Sequence, residues 1–197
     1  MYRLDRVTGD YRMVSVSTNP AVGSTPEGVV VGVTVSADGR YVAWNSAAND
    51  LLPGFIDNNG TIFSFNAADI FVRDMVTGVT RLVSHAPGNL VATGNGRSYR
   101  PVFSKDGSKI VFVSLATDLV TGVTDTNGQA DVFAYDVATQ QVELVSVTAA
   151  GMAAGNNWSG DEQIGPPVIS DDGRYVAFAS QATDLVAGVT ATGRQIY

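Results

Sequence analysis

The chain has 197 residues, 45% of them apolar and 16% charged, with a net charge of −7; this is the composition of a globular domain and not of a disordered segment. Its acidity argues against nucleic acid, whose phosphates need a Lys/Arg-rich face. The absence of cysteine excludes disulfides, thiolate catalysis and Cys-ligated zinc, and no run reaches the ~18 apolar residues of a membrane helix.

In chain order, Met1-Tyr2-Arg3-Leu4-Asp5 is followed by no apolar stretch of the kind a signal peptide needs, and Asp5 opens a D-x-x-T turn. A strand is expected near Val35, then the hairpin S-A-D-G-R-Y-V-A-W at Ser36 to Trp44 with a second strand near Val42. The marker A-N-D-L-L begins at Ala48, and an Asp/Asn-rich loop runs from Asp57-Asn58-Asn59-Gly60 to Asp69. Strands near Ile70 and Leu82 flank a second D-x-x-T at Asp74.

The middle of the chain repeats this order most completely. A short strand from Arg100 to Ser104 ends at Asp106-Gly107, a tight hairpin signal in which Gly supplies positive φ. Lys109 to Ser114 is nearly continuously apolar, as expected when both faces are covered. A long loop, Leu115 to Ala130, carries A-T-D-L-V; Asp131 to Asp136 is a third strand, D-V-A-T turns the chain at Asp136, and Gln141 to Val147 is a fourth. The last copy offers strands near Ile169 and Val176 around S-D-D-G-R-Y-V-A-F at Ser170 to Phe178, then A-T-D-L-V from Ala182.

Three markers therefore recur in one order. Asp38, Asp106 and Asp172 are 68 and 66 residues apart, and Asp5, Asp74 and Asp136 are 69 and 62 apart. Such a period means a repeat architecture. Four antiparallel strands per unit, stacked on copies of themselves, predict an all-β fold: a β-propeller of four-stranded blades. Minimal hairpins join strands one to two and three to four, so all long loops share one end, where binding usually resides.

The run S-x-D-G-R-Y-V-A-F-x-S, then A-T-D-L-V-x-G, then D-V-F-x-x-D-x-x-T, resembles the TolB-type (WD40-like, PD40) propeller repeat of bacterial envelope and secreted proteins. The resemblance covers essentially the whole chain. It implies a propeller fold and a periplasmic or extracellular location. It does not choose a chemistry, because such blades also occur in caps of prolyl oligopeptidase-like enzymes and in polysaccharide lyases.

Tyr197 stands at the third-strand position that Phe133 occupies, and Tyr2 stands there too. The expected organisation is strands three and four of a split blade over residues 1–17, and full blades over 30–84 and 100–147. Strands one and two, with the start of three, follow over 166–197. These three blade equivalents are either part of a longer propeller or half of a six-bladed ring closed by a homodimer.

Asp125, Asn127 and Asp131, with Gly128 between them, offer oxygen ligands in a flexible loop of the kind calcium takes; equally, their side chains can cap the turn through backbone hydrogen bonds. Asp50, Asp118 and Asp184 hold one position in every blade, which points to carboxylates accepting backbone N–H groups. Trp44, Phe112 and Phe178 share a position expected in the core between blades. Arg97, Tyr99, Trp158, Asp161 and Glu162 lie in inter-blade loops and are the candidate binding surface; Trp158 can also fold back on its own loop. For catalysis the chain is poor: His85 is its single histidine, no G-x-S-x-G exists, and Asp161 and Glu162 are adjacent rather than opposed across a sugar. The expected function is non-catalytic binding of a protein or glycan at the long-loop end. The alternative is the propeller domain of a larger enzyme, a prolyl oligopeptidase-like peptidase or a polysaccharide lyase.

Overall fold

Each S-x-D-G segment closes in the same way. Ser36 Oγ donates to Asp38 Oδ1 at 2.6 Å, and the N–H of Arg40 donates to the same oxygen at 3.0 Å. Gly39, at φ 71°, reverses the chain. Ser104 with Asp106, and Ser170 with Asp172, repeat the arrangement. The D-x-x-T turns are equally stereotyped: Asp5, Asp74 and Asp136 each accept the N–H groups of the second and third residues that follow. Local side-chain chemistry thus fixes both short hairpins of a blade.

The computed structural model describes residues 1–18, 30–60, 67–160, 165–189 and 192–197. Among them the elements are all strands. The first sheet pairs β1 (Tyr2–Leu4) with β2 (Tyr11–Met13). Blade one is β3 (Val30–Val35), β4 (Tyr41–Ser46), β5 (Asp69–Asp74) and β6 (Thr80–Leu82), antiparallel and in sequence order. A hairpin, β7 (His85–Ala86) with β8 (Asn89–Thr93), follows. Blade two is β9 (Ser98–Phe103), β10 (Lys109–Ser114), β11 (Asp131–Asp136) and β12 (Val142–Leu144). The last sheets pair β13 (Val168–Ile169) with β14 (Val176–Ala177), and β15 (Ala179–Ser180) with β16 (Gln195–Ile196). Every predicted strand centre, from Val35 to Val176, falls in a strand. No helix of the described residues is long and apolar enough to cross a membrane.

Three details differ from the expectation. Strand one of blade two starts at Ser98 rather than Arg100, and it carries a bulge opposite Val111 and Val113. Arg100 sits within it at φ 58°, where blade one has Gly32 at φ 57° in its own bulge. The fourth strand ends at Leu144 rather than Val147, because Ser146 turns inward. Its Oγ donates to Asp131 Oδ1 at 2.6 Å and accepts the N–H of Val132 at 3.0 Å. The connection read as a plain loop after Ser84 contains the β7–β8 hairpin, turned at Pro87-Gly88 with Gly88 at φ 75°.

The aromatic position of strand two pairs with that of strand three in each copy. Trp44 stacks with Phe71, Phe112 with Phe133, and Phe178 with Tyr197, at centroid distances of 6.0, 5.7 and 6.1 Å. Trp44, Phe112 and Phe178 are all buried, as expected. One core cluster joins Ala43, Ile70, Val72 and Val83 of blade one to Phe103, Ile110, Phe112 and Phe133 of blade two. A second gathers Trp44, Phe71 and Leu82 around Val14, beside β2. The core therefore lies between blades, and no blade completes it alone.

Candidate functional site at the long-loop end

The long-loop end is built from two repeated clamps. In the first, Asn127 Nδ2 donates to Asp131 Oδ2 at 3.1 Å and to the carbonyl of Gly155 at 2.6 Å, while its Oδ1 accepts the N–H of Gln129. Asp131 also accepts from Ser146 Oγ. Blade one repeats the unit: Asn59 Nδ2 reaches both oxygens of Asp69 and the carbonyl of Gly96, and Ser84 Oγ donates to Asp69. The clamp ties the loop between strands two and three to the start of the next blade. The predicted cation ligands Asp125, Asn127 and Asp131 are thus brought together, but Asn127 turns its amide nitrogen to Asp131 and not an oxygen. Among the described residues, no group of three or more His, Cys, Asp or Glu side chains is disposed to hold a metal ion.

Burial dominates the electrostatics here. It pushes Asp131 up to about 7, against hydrogen bonds from Ser146 and Asn127 that pull it down. It raises Asp69 well above the usual carboxylate range for the same reason, and Asp125 rises too. Asp125 lines a cavity of about 10 Å³ with Val123, Phe133 and Leu144, and its Oδ2 is buried without a hydrogen-bond partner.

The second clamp locks neighbouring blades. The N–H of Asn95 donates to Asp118 Oδ1 at 2.9 Å, Asn95 Nδ2 donates to Thr117 Oγ1, and the N–H of Thr117 returns to Asn95 Oδ1. Asn156 makes the same three contacts with Asp184 and Thr183. Asp50 accepts from Ser17 Oγ instead. The A-x-D-L marker is therefore the acceptor of an inter-blade joint. The residues that sequence reasoning passed over are its donors, Gly94-Asn95 and Gly155-Asn156. Their signal was available, since Gly-Asn recurs with its Asn three residues ahead of the equivalent serines Ser98 and Ser159.

Two residues after each Asn, Arg97 and Trp158 occupy equivalent positions: the carbonyl of Arg97 accepts the N–H of Leu115, and that of Trp158 the N–H of Gln181. Both side chains are half-buried. The Arg97 guanidinium lies 4.3 Å from the Tyr99 ring centroid, and that of Arg194 lies 5.3 Å from the Trp158 ring. Tyr99 itself is buried, which corrects its place on the expected surface: its ring supports Arg97 from beneath. Asp161 and Glu162 lie outside the described residues. His85 is also buried, edge-on to Tyr135, with its ring nitrogens 3.0 and 2.9 Å from the carbonyl oxygens of Ala86 and Gln140.

No protein-family model and no curated protein matches this sequence. Solved structures similar to it include the tricorn protease, at 14% identity and a TM-score of 0.49 over 90% of this chain and 12% of that one. The putative TolB from Agrobacterium tumefaciens is similar at 21% identity and a TM-score of 0.45, over 89% of this chain and 49% of its own. The β-propeller domain of the Trilobed protease from Pyrococcus furiosus is similar at 12% identity and a TM-score of 0.37, over 87% and 43%. The chain thus spans half or less of the length of each. Its repeat motif and its antiparallel four-stranded blades make its fold a β-propeller.

Proposed function

We propose that this chain is a non-catalytic binding module of the bacterial periplasm or cell exterior, holding a protein or glycan ligand at its long-loop end. The observation that carries the reading is the pair Arg97 and Trp158. These half-exposed guanidinium and indole groups stand at the same position on consecutive blades, each held by a cation–π partner over a hydrogen-bonded frame. Aromatic and Arg side chains fixed on a rigid scaffold suit recognition, because little side-chain freedom is lost on binding.

Trp158 gives the test a built-in reporter, since the other indole, Trp44, is fully buried. A ligand at this end should shift Trp158 emission when oligosaccharides or peptides are titrated in. Trp158→Ala should abolish the signal, and Arg97→Ala should weaken binding by about 1–2 kcal/mol, as for an interface anchor. Emission that responds equally in Arg97→Ala and in the parent chain would place the site elsewhere.

A further inference from the structure

The chain's single histidine, His85, is buried at the start of β7 with both ring nitrogens against backbone oxygens. Nδ1 lies 3.0 Å from the carbonyl oxygen of Ala86, in its own hairpin. Nε2 lies 2.9 Å from that of Gln140, in the turn between β11 and β12 of blade two. A neutral imidazole carries one N–H, so it donates to one of these oxygens and sets a lone pair against the other. The imidazolium carries two and satisfies both. The geometry therefore suits the charged ring.

Both acceptors are held by contacts of their own. Gln140 sits at φ 60°, and its N–H donates to the carbonyl of Asp136 at 2.8 Å. The hairpin that carries Ala86 is anchored through Thr93, whose N–H donates to the carbonyl of Ile56 and whose carbonyl accepts from Asn58. Among the described residues, the titratable groups nearby are engaged elsewhere. Tyr135 of β11 stands edge-on at 6.2 Å, and burial pushes its hydroxyl up to about 12, so it stays neutral. Beyond it, Arg81 of β6 donates to the carbonyl of Val137, and Asp136 pairs with Lys109. Asp69 of β5 accepts from Ser84. Beside the ring runs a groove of about 520 Å³, where Leu90, Leu119, Val120 and Gln141 are uncharged; it gives the imidazole proton a way to solvent.

We propose that His85 is a pH-sensitive latch between the β7–β8 hairpin and blade two. Charged, the ring ties the carbonyls of Ala86 and Gln140 together; on losing a proton it gives up one of them, and the hairpin loosens. The ordinary charge change of histidine falls between about pH 5 and pH 8, so the latch is closed on the acid side and open on the alkaline side. β8 runs from this contact into Gly94-Asn95, the donor of the inter-blade joint. The latch concerns the fold alone and holds whatever binds at the long-loop end.

With a single imidazole to observe, nitrogen NMR reads the latch directly. Both ring nitrogens should carry protons at about pH 5 and only one at about pH 8. Over the same interval the amide protection factors of Thr93 and Gly94, which discount the intrinsic pH dependence of exchange, should fall. That fall should be at least tenfold greater than in His85→Gln, which keeps one donor and does not titrate. A ring whose protonation does not change over this interval, or equal falls in the parent chain and in His85→Gln, overturns the proposal. Should the variant not fold, the parent chain decides: the loss of protection must track the titration of the ring, and a fall at any other pH overturns the latch.

Discussion

Gln140 stands where the other two D-x-x-T turns carry glycine: Gly9 and Gly78 take φ 81° and 75°, and Gln140 is held at φ 60°. A side chain in the left-handed region costs about 1–2 kcal/mol, so Gln140→Gly should stabilise the fold by about 1 kcal/mol in urea unfolding. The carbonyl facing His85 is kept; a loss of stability would show that the Gln side chain holds the turn. Asp131 yields a second prediction. Its folded pKa, about 7, lies above the unfolded value near 4, so the folded state binds the proton more tightly. The stability from this group is therefore fully present below about pH 4 and is lost as pH rises through about 7. Asp131→Asn should flatten the fall in melting temperature between about pH 5 and pH 8, leaving the residual slope that buried Asp69 imposes. Calcium at millimolar concentration should not move the melting temperature, because Asn127 already satisfies Asp131; an increase would establish a cation site. The oxygen-rich composition of this loop was legible in the sequence. The inward amide of Asn127 was not, because it is set by the carbonyl of Gly155, 28 residues away.

At the scale of elements, the joint between blades sets what a substitution costs. A β-carbon on Gly94 would meet Leu119 Cδ2 at 2.5 Å and Asp118 Oδ1 at 2.9 Å, and one on Gly155 would meet Ala182 and Leu185 at 2.8 Å. Neither glycine is there for positive φ; each lets the linker press onto the end of strand two. Gly94→Ala should therefore destabilise by about 1–3 kcal/mol, the usual range for overpacking, read as a lower urea midpoint at unchanged strand signal. An unaffected midpoint would mean that the blades can separate there without loss. The strands were readable because short, nearly continuous apolar runs sit between Asp-Gly and D-x-x-T turns whose side chains fold them locally. The β7–β8 hairpin was less readable. Its two strands pair through only His85–Thr93 and Ala86–Asn89, and Thr93 is held from outside by Ile56 and Asn58.

For the whole molecule, the order of blades was legible from the repeat, but the exposure of individual apolar residues was not. Val35 and Phe103 hold the same position in the same kind of strand; only the presence of a neighbouring face makes one exposed and the other buried. That dependence sets the pattern of opening. The cluster running from Ala43 and Val72 to Phe112 and Tyr135 belongs to blades one and two jointly, so neither can unfold while the other stays packed. Amides of β4, β5, β10 and β11 should exchange with solvent only through global unfolding. Those of β1 and β16, short strands with exposed Tyr2 and Ile196, should exchange through local opening. The two behaviours separate on adding urea, which accelerates global opening steeply and local opening hardly at all.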